Sequence, residues 1–282
     1  MKLYGVDFTS APSKRKGITI ASAELLPANG QDRQTLLLHA LGSLSDFDQF
    51  DAWLRRPGPW LAGFDLPFSL PRELIEHLAW PDNWADLMLH LESITRAEMR
   101  SLFKAFCDAR PAGNKFAHRA TDIPANSSPS MKWVNPPVAY MLHAGAPRLL
   151  RAGLHLPGIY AGDATNHVAN DYVTARIALE AYPGMVARSI TRASYKSDDK
   201  RKQTSERRDA REQIINALEA GNTPWQIRVD CAEFRQQLLE DGSGDYLDAA
   251  LCAVLAGWGW QRRNIQFGLP EFDALEGWIV GA

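Results

Sequence analysis

Hydrophobic and polar positions divide the chain into a strand-rich beginning, an aromatic helical middle and a helical close. Residues 3–9 form an apolar strand, and residues 9–17 are a polar, turn-rich segment. Residues 18–26 alternate well enough for a second strand. Pro27, Ala28, Asn29 and Gly30 give a turn signal. Residues 35–41 then complete a meander, although a leucine run of this length also suits a helix. Leu44, Phe47, Phe50, Trp53 and Leu54 recur at helical spacing, so 43–55 predicts an amphipathic helix stopped by Pro57, Gly58 and Pro59. Residues 60–68 are apolar apart from Asp65, as a buried central strand is. Ser69 is the expected N-cap of the following helix, with Pro71 in its first turn.

From about residue 80 to 157 the pattern changes. Helical pieces alternate with prolines, and Trp80, Trp84, Phe103, Phe106, Phe116, Trp133 and Tyr140 are scattered among them. This stretch reads as a helical insertion over one edge of the sheet, within a single domain spanning 1–282. Residues 177–182 form a fifth strand closed by Pro183 and Gly184, and a charged helix covers 199–220. The closing helix, 246–260, carries Ala249, Ala250, Cys252, Ala253, Ala256 and Gly257, small enough to bring it close to a sheet. No repeat is visible. The fold class is α/β.

Composition narrows the class further. Of 282 residues 45% are apolar and 23% charged, ordinary globular values that allow a sizeable core. The formal charge of −2 argues against a broad, sequence-independent nucleic-acid footprint, which needs a net basic surface. Cys107, Cys231 and Cys252 lack zinc spacing and read as buried apolar residues in a reducing compartment. Met1 and Lys2 run straight into the first strand, leaving no room for a leader. The longest mostly apolar run, 249–260, is shorter than the ~20 residues of a membrane span. The expected location is cytoplasmic, with no membrane partner.

The candidate chemistry is acidic. Gly5-Val6-Asp7-Phe8 and Gly63-Phe64-Asp65-Leu66 end two strands with the same phrase. Alternation puts each Gly and its Asp on one face. If these strands are neighbours, two carboxylates meet at the C-terminal edge of the sheet. Buried unpaired carboxylates are costly, so such a pair calls for a cation, donors or solvent; the bland reading is that each caps a turn. Asp245 and Asp248 lie at i and i+3 on one helical face, where a cap role suits Asp245 better than Asp248. Glu180 closes the fifth strand and is either a site residue or a solvated strand end. Lys196, Lys200, Arg201, Lys202, Arg207, Arg208 and Arg211 are interleaved with acids, as on a solvated face laced with ion pairs. The other reading gives phosphate contacts to Lys196 or to arginines such as Arg208 and Arg211. His118-Arg119 could also meet a phosphate. There is no Walker loop, dinucleotide fingerprint or nucleophile elbow.

Taken in order, Gly5–Phe8, Gly63–Phe68, Glu180-Ala181-Tyr182-Pro183-Gly184, Tyr195-Lys196 and Asp245-x-x-Asp248-Ala249 give nearly the whole chain a resemblance to a known group. It resembles the domain-of-unknown-function 429 family, usually described as a predicted RNase-H-like nuclease. His118-Arg119-Ala120-Thr121-Asp122 and Pro136-Pro137-Val138 also fit. The resemblance implies a five-stranded mixed sheet of order 3-2-1-4-5 with helices on both faces, in which the first and fourth strands are parallel neighbours. It implies a metal-dependent nuclease in which Asp7, Asp65, Asp245 and Asp248 hold Mg²⁺ or Mn²⁺. Lys196 would neutralise phosphate oxygens, and Glu180 has no settled counterpart. The near-neutral charge favours a nucleic acid or nucleotide that is short, single-stranded or structured, with aromatics of the insertion stacking bases or capping the site. A second reading is a nucleotide-binding phosphatase or phosphotransferase with an actin-like core, where Thr9, Ser10 and Lys14 cradle phosphates. A third is a non-catalytic binding module.

Overall fold

The structure, a computed structural model, describes residues 1–28, 33–162 and 175–282. Among them the strands are β1 (Lys2–Asp7), β2 (Ile18–Leu26), β3 (Thr35–Leu44), β4 (Trp60–Asp65), β5 (Arg176–Glu180) and β6 (Arg228–Asp230). They form one mixed sheet in the order β5-β4-β1-β2-β3-β6. β1 pairs antiparallel with β2 and parallel with β4, and β4 pairs parallel with β5. The sheet has six strands where the sequence suggested five. The added strand, β6, is three residues long and pairs parallel with β3 at the edge, too short to leave a periodic signal.

Strand alternation divides the core into two layers. Tyr4, Val6, Trp60, Ala62 and Phe64 point to one face, where α1 (Phe47–Leu54), α2 (Arg72–His77), α3 (Trp84–Ser93), α4 (Arg96–Asp108) and α6 (Val138–Arg151) lie, the short α5 (Asp122–Ala125) standing between the last two in sequence. Leu3 and Leu61 point to the other. That face is covered by α7 (Pro183–Ile190), α8 (Ser205–Ala220), α9 (Arg235–Glu240) and α10 (Asp245–Gln261). Among the described residues no helix is long and apolar enough to cross a membrane.

α10 lies against β1, β2 and β4 with most of its residues buried. Its small residues meet the two strand glycines. A β-carbon on Gly5 would lie 1.8 Å from the Ala249 carbonyl oxygen, and one on Gly63 would lie 2.5 Å from that of Cys252. The glycines behind the two aspartates are therefore there because the helix backbone occupies the space a side chain would need.

Several boundaries moved for local reasons. β3 runs on to Leu44, so the first helix begins only at Phe47, capped by Asp46, whose carboxylate accepts from the Gln49 amide at 2.8 Å. β4 stops at Asp65, where the Leu66 amide turns back to donate to the Phe64 carbonyl at 2.9 Å, and two residues on the Phe68 amide donates to the Glu180 carboxylate at 3.0 Å. Ser69 does not cap α2: Pro71 holds that position, and the buried Ser69 hydroxyl has no partner among the described residues. The charged helix is broken, a single 3₁₀ turn at Lys200–Lys202 preceding α8. Of the expected turn at 27–30, Asn29 and Gly30 lie outside the described residues.

The insertion's aromatics did not go where stacking would need them. Trp84, Phe103 and Phe106 are core, Phe116 and Trp133 pack on each other at 5.4 Å, and Tyr140 lies beneath the Arg96 guanidinium. Burying such rings yields more than exposing them to a ligand, which explains the aromatic density of this stretch.

Candidate active site

β1 and β4 are in register from Lys2 opposite Trp60 to Asp7 opposite Asp65. Both aspartates therefore end adjacent parallel strands, opposite each other in register, on the face that carries α10. The first turn of α10 brings Asp245 and Asp248 to the same edge. Asp245 is not a cap, since Gly244 occupies that position at φ +77°, and its carboxylate lies 3.9 Å from the Lys16 ammonium. Asp248 is fully buried, accepts from the Tyr195 hydroxyl at 2.5 Å and pairs with the Lys196 ammonium.

Crowded charge shifts these groups. Burial, then Asp248, pushes Asp7 well above the usual carboxylate range, and Lys196 only partly offsets this. Asp65 is pushed up to about 7, chiefly by burial and further by Asp248, with Lys196 opposing. Burial also raises Asp245, with Lys16 opposing. Burial disfavours the Lys196 ammonium, yet Asp248, Tyr195, Asp7 and Asp65 outweigh it, so its pKa is raised and it stays charged. Four carboxylates thus share the Lys196 and Lys16 ammonium groups.

The cluster opens into a cleft of about 510 Å³. Thr9, Ser10, Lys16, Lys196 and Asp198 line it beside Asp7, Asp65 and Asp245, while Pro136, Pro137, Val138 and Met141 of the insertion form its apolar side. Tyr182 and Phe8 are the aromatic rings of its lining.

Glu180 and Arg119 reach the cleft wall but are occupied with each other. Arg119, 2% exposed, donates to both Glu180 oxygens at 2.8 and 2.5 Å. It also donates to Asp122 at 3.0 Å and to the Glu276 carbonyl at 3.1 Å. Its donors are turned inward, so the expectation of a phosphate contact by Arg119 is corrected: it holds Glu180 and Asp122 and ties the insertion to the C-terminal segment. Glu180 is likewise a partner of this arginine and not a fifth member of the aspartate cluster. His118 is exposed and lies outside the cleft lining.

The other basic candidates brace the site from outside. Arg208 pairs with Glu240 at 2.9 Å, and the buried Arg211 donates to the carbonyls of Leu239 and Tyr195 at 2.8 and 2.7 Å. Arg207 donates to the Lys196 carbonyl. Arg208 and Arg211 are thus not at the cleft; α8 holds the segment that presents Tyr195 and Lys196. Lys14 is exposed and also outside the lining. Sequence reasoning missed Lys16 and Asp198, a pair at 2.5 Å joining the segment after β1 to the one before α8. It also missed the role of Tyr195, for which the only signal was its place beside Lys196.

These features define a mixed α/β protein with an acidic site at the C-terminal edge of two parallel strands, closed on one side by a helical insertion. A family model described as a protein of unknown function (DUF429) matches residues 5–264, and the chain belongs to that family. No curated protein and no solved structure matches it.

Proposed function

We propose that the chain is a divalent-metal-dependent phosphodiester hydrolase acting on nucleic acid or nucleotides. The observation that carries this reading is the in-register pair Asp7 and Asp65 with Asp245 and Asp248 delivered to the same edge by α10. The order of the first five strands, with β1 between antiparallel β2 and parallel β4, supports an RNase-H-like reading of the sheet.

The donor set fits Mg²⁺ or Mn²⁺, since it consists of hard carboxylate oxygens whose mutual repulsion a cation would relieve. Among the described residues no three His, Cys, Asp or Glu side chains form a closed metal-holding group. Mg²⁺ sites commonly use one or two carboxylates, with waters and substrate phosphate completing the shell. Asp7 and Asp65 would hold the ion, assisted by Asp245 and Asp248. Once bound, it supplies charge that draws a phosphoryl oxygen and acidifies a water.

The chain's own groups carry the rest. Lys196 would face the non-bridging oxygens, its position held by Asp248 and, through its carbonyl, by Arg207. Tyr195 fixes the Asp248 carboxylate by its hydroxyl. Thr9 and Ser10 line the cleft beside Asp7, and their hydroxyls would offer further contacts to a phosphate.

Calorimetric titration with Mn²⁺ tests the reading on the wild type and on Asp65→Asn. We expect binding to the wild type that vanishes in the variant. Asp7→Ala and Asp65→Ala should each abolish metal-dependent cleavage while melting stays cooperative; cleavage retained in both would overturn it. The position of Thr9 and Ser10 beside Asp7 also favours a second reading, a nucleotide phosphatase or phosphotransferase. Stabilisation by ATP without cleavage of oligonucleotides would select that one.

A further inference from the structure

Residues 195–197 are built onto the start of α10 from several directions. Buried Arg211 donates to the Tyr195 carbonyl at 2.7 Å, and Arg207 donates to that of Lys196. The Ser197 amide donates to the Gly242 carbonyl at 3.0 Å, and the Gln203 side-chain amide to the Ser197 carbonyl at 2.8 Å. The lysine stem lies against Gly244, where an added β-carbon would come within 2.6 Å of the Lys196 β-carbon. At its tip the ammonium pairs with one oxygen of the fully buried Asp248, whose other oxygen accepts from the Tyr195 hydroxyl at 2.5 Å. Backbone, stem and ammonium are each held, unlike those of a surface lysine on a flexible stem. The side chain is nonetheless 42% exposed and lines the cleft, open to whatever enters it.

This arrangement engages one of the four carboxylates completely. Both Asp248 oxygens have partners within the protein, and Asp248 lies behind the cleft lining that Asp7, Asp65 and Asp245 share. Asp245 in turn lies 3.9 Å from the Lys16 ammonium, which also pairs with Asp198. Asp7 and Asp65, opposite each other at the ends of β1 and β4, remain as the principal ligands. One or two carboxylates are the usual protein share of a single Mg²⁺ shell. Two-ion phosphoryl sites clamp the attacking and leaving oxygens with metals roughly 3.5–4 Å apart, so a second ion needs ligands of its own. Here the fourth carboxylate is spent on a lysine, and that lysine's charge acts on Asp7 and Asp65 as well as on Asp248.

We propose that the site takes a single divalent ion and that the Lys196 ammonium serves as its second cation. This rests on the metal-dependent hydrolase reading above and specifies its metal count. Asp7 and Asp65 would hold the ion, and Lys196 would meet a phosphoryl oxygen that the ion does not. Asp248 contributes through the lysine that it fixes. No bond forms or breaks at the lysine nitrogen, whose part is to supply a positive charge already in place before the substrate arrives.

The test counts bound Mn²⁺ by calorimetry and by electron paramagnetic resonance, with and without a short phosphorothioate single strand, and so does not depend on turnover. The wild type should bind one ion in both states. Lys196→Met removes the positive charge and releases an Asp248 oxygen, and it should bind two ions that show as a spin-coupled pair. Should that variant lose its cooperative melting transition, Lys196→Gln, which can still donate to Asp248, carries the same count. Two ions in the wild type in either state, or one ion in a cooperatively melting variant, overturns the inference and leaves the hydrolase reading standing. A wild type that binds no Mn²⁺ in either state overturns the hydrolase reading with it.

Discussion

Asp65 shows what it takes to keep a carboxylate at this position. Its neighbours are mostly other acids, and its pKa is raised from 3.8 to about 7. Asp7 and Asp245 are raised as well, each first by burial. Between about pH 4 and 7 the folded chain therefore holds more protons at this cluster than the unfolded chain does. The cluster's contribution to stability is greatest in acid, falls as pH rises through that window and stays low above it. Asp65→Asn should accordingly raise Tm at pH 8 by a few degrees, on the order of 1–2 kcal/mol. That gain should shrink towards zero at pH 4, which scanning fluorimetry across pH would read directly. Arg119 presents the reverse case. Arg119→Ala leaves Glu180 and Asp122 buried without their cation, and about 3–5 kcal/mol should be lost in urea denaturation.

At the scale of elements, the contact between α10 and the β1–β4 pair sets the site. Gly5 and Gly63 let the helix backbone touch the strands, and this places Asp248 behind the two strand-end aspartates. Gly63→Ala would put a methyl group 2.5 Å from the Cys252 carbonyl oxygen, which belongs to backbone and cannot rotate away. We expect a loss of about 1–3 kcal/mol in chemical denaturation and weaker Mn²⁺ binding, because the helix must move with its aspartates. The strand phrase Gly-apolar-Asp-apolar and the small-residue face of α10 were both legible, since each is a local pattern with a fixed period. The insertion was legible as a helical stretch only. Its aromatics suggested base stacking or a cap over the site, whereas several are core and its contribution to the cleft comes from the prolines, Val138 and Met141.

For the molecule as a whole, the C-terminal segment locks the layers together although it lies beyond residue 264, where the family match ends. Asp273 pairs with Arg72, and Glu276 accepts from the Arg72 and Ala120 amides. The Ile279 amide donates to Thr121 at 2.9 Å, and the Val280 amide to the Glu180 carbonyl at 2.8 Å. Leu275, Ile279 and Val280 are buried. Three such side chains contribute on the order of 5 kcal/mol. A chain ending at residue 268 should therefore melt at least 10 °C lower, with the floor beneath Glu180 exposed to proteolysis between 119 and 127.

The sequence by itself determined the strands that matter, the helix that packs on them and the four aspartates that its geometry gathers, because short-period patterns and small-residue faces are written locally. Only the tertiary structure decided which charges are available. Arg119, Arg208 and Arg211 resemble Lys196 as isolated letters, yet Lys196, paired with Asp248, lines the cleft beside Asp7 and Asp65, while their donors are taken up by Glu180, Glu240 and backbone carbonyls far along the chain. Lys16 is brought to the cleft by a pairing 182 residues away, and the edge strand β6 forms only where β3 offers it a partner. Whether a charged side chain meets a ligand or its own protein depends on neighbours distant in sequence, and no pattern of period two or 3.6 records them.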